Sequence, residues 1–149
     1  MIEQHHEDLL TSTFIGSLST LRHSDGFISS NPVSFIWNGN EIEISTLKER
    51  MKYKNLLANP MATLCVLSPE NHMYYVELRG TVRMVDDPQR EYLRAQFIKL
   101  AGVEVPDDMD PPGSERVTLY LRPQQVSSPS LYGGRFDDMG ASKPGDNPA

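Results

Sequence analysis

The sequence predicts a mainly β domain with short helices, in which six antiparallel strands curl into a closed or nearly closed barrel. Strand patterns follow one another through short turns, without the regular strand–helix alternation of a parallel sheet. Pro32 and Gly80 fall inside strand patterns and predict a bulge or bend, as at a barrel corner. A closed sheet also leaves no exposed edges. We expect residues 1–136 to form this single domain.

The composition is that of one ordinary globular domain. The chain has 149 residues, 38% hydrophobic and 23% charged, and no apolar run approaches the roughly 20 residues of a membrane span. The acidic first ten residues do not resemble a secretory signal, so we expect a cytoplasmic protein with no membrane span. The lone Cys65 excludes an internal disulfide and a thiolate-rich zinc site. The formal net charge of −6 disfavours nucleic-acid binding.

The first half of the chain carries one helical pattern followed by three strand patterns. The helix is expected over residues 3–10, and the strands over residues 13–21, 27–37 and 41–46. The last of these alternates acidic and apolar residues with the period of a half-buried strand. Pro32 lies in the second strand and cannot donate to a backbone ladder, so this strand is expected at a sheet edge or with a bulge.

The second half alternates helical and strand patterns. The expected elements are a helix that stops at residues 59–60, strands over 62–67 and 74–85, a helix over 87–102 and a strand over 116–126. Asp87 is the expected N-cap of the third helix, Pro88 its first residue and Gly102 its closing residue. Residues 137–149 have almost no apolar side chain to anchor them, so we expect disorder there.

The most informative segment follows the third strand. It places four basic residues within seven positions: Lys48, Arg50, Lys52 and Lys54. The hydroxyls of Ser45 and Thr46 precede them, and the start of a helix adds free backbone N–H groups. Cations, hydroxyls and free N–H groups together favour a phosphate. A solvated helix face is the alternative interpretation.

A second feature is the tripeptide Asn31-Pro32-Val33 in the second strand. Where proline breaks the ladder, neighbouring backbone groups are free to pair with a planar heterocycle instead of another strand. An edge-strand proline with no ligand is the alternative. No nucleophile–base arrangement and no metal-ligand spacing can be read from the chain. We therefore predict no metal site, and the catalytic residues stay unknown.

In their order and spacing, these segments resemble the pyridoxamine 5′-phosphate oxidase-like split β-barrel superfamily. The matching pieces are Asn31-Pro32-Val33 with Phe35 and Trp37, residues 45–56, Asn59-Pro60 and residues 77–81. Over residues 14–121 the chain is most similar to the deazaflavin-dependent reductases that use coenzyme F420. The resemblance implies a homodimer with the cofactor in a groove at the subunit interface. It implies coenzyme F420 as the cofactor, with FMN as the alternative.

The resemblance also implies roles for individual residues. Asn31, Pro32 and Val33 correspond to the strand against the deazaflavin ring, Ser45 and Thr46 to the turn near the ribityl chain, Arg50, Lys52 and Asn55 to the phosphate site, and Lys48 and Lys54 to contacts with the acidic tail. One phosphate needs fewer cations than a phosphate followed by several glutamates. Four basic residues therefore favour coenzyme F420 over FMN.

The implied activity is hydride transfer from reduced deazaflavin to an unsaturated or carbonyl-containing small molecule. The alternatives are an FMN-dependent reductase or oxidase of the same fold, and a protein that binds the cofactor without turnover. Tyr74, Tyr75 and solvent are candidates for the proton donor. The residues after Arg122-Pro123 lack a pattern for gripping pyridoxal phosphate, so oxidation of vitamin B6 is not expected.

Overall fold

The computed structural model describes residues 2–135 as seven antiparallel strands in one curled sheet, with three α-helices and a short 3₁₀ turn. The elements are α1 (Gln4–Ser12), β1 (Ile15–Leu21), β2 (Ile28–Ser34), β3 (Ile36–Trp37), β4 (Ile42–Leu47), α2 (Met51–Ala58), β5 (Met61–Leu67), β6 (Tyr75–Asp86), α3 (Glu91–Ala101), β7 (Arg116–Ser127) and the 3₁₀ turn (Leu131–Gly134). The predicted mainly β fold with short helices is confirmed. The tail predicted to be disordered, residues 137–149, lies outside the described residues.

The sheet runs in the order β2-β1-β5-β6-β7-β4-β3. Strands β2 and β3 are neighbours in the chain but lie at opposite edges, so the segment predicted as one strand over residues 27–37 is two strands. The reason is Phe35, which leaves the ladder, buries its ring in the core and donates its backbone N–H to the Phe14 carbonyl at 2.9 Å. The strand count is therefore seven instead of six, and the opening between β2 and β3 splits the barrel.

The edge position predicted for Pro32 and the bend predicted at Gly80 are confirmed, whereas the β1–β2 pairing runs through Pro32 without a bulge. Pro32 lies in β2, an edge strand of the sheet, where its missing N–H is tolerated. The pairing of β6 with β7 shifts register between Arg79 and Gly80. A Cβ atom at Gly80 would lie 1.9 Å from the Arg122 carbonyl oxygen, so only glycine lets the two strands approach this closely.

The core fills the concave face of the sheet. Its largest fully buried side chains are Phe35, Leu10, Leu18, Ile42, Ile44, Leu56, Leu64, Leu78, Leu119, Leu121, Val66 and Val76. Helix α1 contributes Leu9 and Leu10, and α2 packs Leu56 against the same cluster. Within residues 2–135, no helix is long and apolar enough to cross a membrane.

The third helix begins later than predicted. Its N-cap is Arg90, which adopts a left-handed backbone (φ 58°), and the helix starts at Glu91 instead of Pro88. Asp87 still caps it from a distance, because its carboxylate accepts the backbone N–H groups of Tyr92 and Leu93 at 3.2 and 3.0 Å. Gly102 (φ 69°) closes the helix, as predicted.

Candidate functional site

A groove of about 740 Å³ opens between the β2–β4 side of the barrel and α3. This volume is in the range of small-molecule and cofactor sites. Six of the residues that the sequence assigns to a cofactor line it: Pro32, Val33, Ser45, Thr46, Arg50 and Lys52. The fold brings them together because β2 and β4 approach each other across the split and α2 begins directly after β4.

The cationic part of the groove is the beginning of α2. The chain leaves β4 through a turn closed by the Arg50 N–H and the Leu47 carbonyl at 3.0 Å, and this turn makes Arg50 the N-cap of α2. Lys52 is half-buried, and its pKa is lowered by burial and, second, by the charge of Arg50. Within residues 2–135, neither cation forms an ion pair with a carboxylate. The pair is therefore available to an anion.

A third cation, Arg116, lies in the groove but is already neutralised. Its guanidinium binds both carboxylate oxygens of Asp110, with Nε donating at 2.8 Å, and its Nη1 donates to the Ser45 Oγ at 3.3 Å. Hydrogen bonding to Arg116 is the main cause of a lowered pKa at Asp110. Asp110 and Arg116 both line the groove. This wall is polar but carries no net charge.

The opposite wall is formed by one face of α3. It presents the apolar side chains of Leu93, Phe97 and Leu100, with Gln96 as the polar residue among them. Gln96 is 7% exposed. No residue of this helix is among those predicted from the sequence to hold a cofactor. The signal that could have indicated it is a glutamine three residues after Leu93, within the apolar stripe of a helix.

Two of the predicted cofactor contacts make other interactions. The Lys48 ammonium lies 3.0 Å from Asp86 and 3.5 Å from Glu115, outside the groove lining, and its pKa is raised chiefly by the hydrogen bond to Asp86. Asn55 is buried, and its amide accepts the His23 N–H at 3.3 Å and donates to the Thr20 Oγ1 at 3.1 Å. These bonds hold α2 against β1.

The remaining predicted residues also lie outside the groove lining. Lys54 is on the exposed side of α2. Asn31 is half-buried on β2, with a buried Oδ1 that has no hydrogen-bond partner in residues 2–135. Tyr74, a candidate proton donor, instead donates its hydroxyl to the His5 carbonyl at 3.0 Å. Tyr75 does not line the groove either.

Comparison with known proteins supports the assignment of the fold. The sequence profile of the pyridoxamine 5′-phosphate oxidase family matches residues 2–128. A solved structure named F420 Reductase shares 30% identity and superposes with a TM-score of 0.74, over 85% of this chain and 98% of that one. No curated protein matches significantly in sequence.

More distant structures share the fold alone. A conserved hypothetical protein from Mycobacterium tuberculosis is 19% identical (TM-score 0.68; 86% of this chain and 84% of that one). A haem-binding protein from Mycobacterium smegmatis is 18% identical (TM-score 0.66; 89% of this chain and 56% of that one). With a family profile over most of the sequence and a split barrel in three dimensions, the chain belongs to the pyridoxamine 5′-phosphate oxidase-like family and is similar to an F420 reductase.

Proposed function

We propose that the protein is an F420-dependent reductase that transfers a hydride from reduced deazaflavin to an unsaturated or carbonyl-containing small molecule. The observation that carries this proposal is that Arg50 and Lys52, which have no carboxylate partner within residues 2–135, lie beside hydroxyl groups in a groove of cofactor size. The similarity at 30% identity to a protein named F420 Reductase supports it. FMN remains the alternative cofactor, because the same fold and the same cations suit its phosphate.

The residues of the groove fit a phosphorylated flavin-type group. Lys52 is half-buried without a carboxylate partner in residues 2–135, so a bound phosphate would replace the water it loses on burial. Arg50 adds a second cation at the α2 N-terminus, where free backbone N–H groups also favour an anion. Pro32, Val33, Ser45 and Thr46 line the same groove, and in this proposal Ser45 and Thr46 contact the ribityl chain and Pro32 and Val33 contact the ring.

The cofactor, when bound, supplies the hydride. The chain's own contribution is to orient the reactants and to exclude water through the apolar α3 wall. The proton that accompanies the hydride comes from solvent in this proposal. Asp110, the acidic side chain among the described lining residues, is held as a carboxylate by Arg116, and Tyr74 and Tyr75 lie elsewhere.

The test is a fluorescence titration of the purified protein with coenzyme F420 and, in parallel, with FMN. Tighter binding of F420, followed by oxidation of reduced F420 in the presence of a panel of enones and aldehydes, is the expected result. Tighter binding of FMN would replace the proposal by its alternative. Tight F420 binding with no turnover of any compound would favour a protein that only carries the cofactor.

The proposal includes a homodimer in the cytoplasm. Leu21, Ile28 and Met61 line one shallow depression on the outer face of the sheet, and Phe27 beside it is 72% exposed. An apolar patch of this kind marks an interaction surface. Strand β2 runs from Ile28 in this patch to Pro32 in the groove, which places the groove beside the proposed interface.

Light scattering should give about twice the chain mass for the wild type. Ile28→Asp, which puts a charge into the patch, should give a monomer. Ile98→Asp is the matched control, because Ile98 is also an exposed isoleucine but lies on α3, away from the patch. A wild-type monomer that still binds cofactor tightly would contradict a groove shared between subunits.

A further inference from the structure

Gln96 is a buried polar residue on the α3 wall of the groove. Its side-chain Nε2 is shielded from solvent and has no hydrogen-bond partner within residues 2–135. Leu93, Phe97 and Leu100 lie along the same wall. Leaving a buried N–H donor unpaired is destabilising, so such groups are rare in native proteins. A donor of this kind beside a ligand-sized groove points to a partner that arrives with the ligand.

A purely structural role for Gln96 would show as a bond to a neighbouring element. Asp87, which caps the same helix, shows what such a role looks like, with two hydrogen bonds to the backbone of Tyr92 and Leu93. The Gln96 Nε2 forms no hydrogen bond of this kind to any described residue. Burial of a glutamine side chain on this apolar stripe is also less favourable in free energy than burial of a leucine side chain would be.

We propose that Gln96 is a specificity-determining residue that binds the imide edge of the ring system held in the groove; this inference rests on the proposed function. A primary carboxamide carries a donor and an acceptor side by side. Deazaflavin and flavin rings both present a carbonyl next to an N–H along one edge. On binding, the Gln96 side chain turns toward the ring, so that Nε2, which is shielded in the free protein, donates to the ring carbonyl and Oε1 accepts the ring N–H. The apolar neighbours of Gln96 strengthen both bonds by excluding water.

The experiment compares two ligands on three proteins. Wild type, Gln96→Leu and Gln89→Leu are titrated with coenzyme F420, or with FMN if that is the tighter cofactor, and with the analogue methylated on the imide nitrogen. Gln89→Leu makes the same change at an exposed position before α3. Gln96→Leu should weaken binding of the natural cofactor about tenfold or more. Methylation should weaken binding to wild type and Gln89→Leu, but much less to Gln96→Leu.

Thermal unfolding of the apo-proteins separates this role from a structural one. Because leucine removes an unpaired buried donor, Gln96→Leu should unfold at the wild-type temperature or above. Equal cofactor affinity for wild type and Gln96→Leu would overturn the inference and leave the proposed function standing. An equal loss of affinity on methylation in wild type and Gln96→Leu would also overturn the inference, because other residues would then recognise the imide edge. If the wild type binds neither cofactor, the proposed function fails and this inference falls with it.

Discussion

The cations around the groove differ in whether a carboxylate already neutralises them. Arg50 and Lys52 face the groove without an acidic partner among the described residues, and Lys52 has a lowered pKa. Arg116 lies in the same groove but is held by Asp110, and Lys48, one turn before α2, is held by Asp86 and Glu115. A count of basic residues in the sequence treats all of these alike. Within residues 2–135, Arg50 and Lys52 are the groove-lining cations that have no acidic partner.

The difference has a physical basis. A cation bound to a carboxylate must break that ion pair before it can bind a phosphate, so the net gain in binding free energy is small. A half-buried lysine without a partner has lost part of its hydration and gains a full charge-assisted bond on binding. We therefore expect substitutions at these cations to have very different effects on cofactor affinity, although their side chains carry the same charge.

The largest effect is expected at Lys52. Lys52→Ala should weaken cofactor binding by about 1.5–3 kcal/mol, the range of a hydrogen bond to a charged group, which is roughly ten- to a hundredfold in Kd. Isothermal titration measures it directly. Lys54→Ala is the matched control, because Lys54 is an exposed lysine on the same helix. Equal affinities for both variants and the wild type would mean that the phosphate binds elsewhere.

The second prediction concerns Asp110, which neutralises Arg116. Asp110→Asn keeps the shape of the side chain but removes its charge, so Arg116 becomes available to an anion in the groove. Cofactor affinity should rise about threefold, the size expected for a partly screened charge. The same titration checks it, with Asp108→Asn as a control at an exposed acid of the same loop. A fall in affinity would show instead that Asp110 positions Arg116 for binding.

How far the sequence predicts this site depends on the range of the interactions involved. Local sequence patterns identify Pro32, Val33 and the stretch from Ser45 to Lys52. The fold brings those of them that line the groove together. The groups that form ion pairs with Lys48 and hydrogen bonds with Asn55 belong to β1 and the turn after it, to β6 and to the loop before β7. All of them are far from Lys48 and Asn55 in the sequence. No local pattern identifies such partners.

Prediction of the fold from the sequence is limited in the same way, by interactions between residues that are far apart in the chain. The strand and helix types follow from periodicity and from proline and glycine positions, and they are confirmed. Two boundaries are wrong because a tertiary interaction decides them. The core takes Phe35 out of the ladder and divides one predicted strand, and the left-handed Arg90 delays α3 although Asp87 still caps it.

A small effect is expected at Lys48. Because Asp86 and Glu115 already hold its ammonium outside the groove lining, Lys48→Ala should change cofactor affinity by less than about threefold. The remaining contribution of Lys48 is its long-range attraction for the acidic tail of the cofactor. This attraction should vanish near 1 M salt, where the screening length is about 3 Å. Titrations at low and high salt test it. A large loss that persists at high salt would mean that Lys48 leaves its carboxylate partners to bind the cofactor directly.

The smallest effect is a pH dependence carried by Lys52. Burial and Arg50 lower its pKa from the ordinary lysine value of 10.5, so the unfolded chain holds this proton more tightly than the apo-protein does. The Lys52 contribution to apo-protein stability should therefore rise as the pH passes upward through the lowered pKa. Cofactor affinity should move in the opposite direction, because binding needs the charged ammonium. Lys52→Arg, whose guanidinium stays protonated, should keep its affinity at alkaline pH. Titrations at neutral and alkaline pH decide the matter, and parallel losses of affinity in wild type and Lys52→Arg would assign the pH dependence to another group.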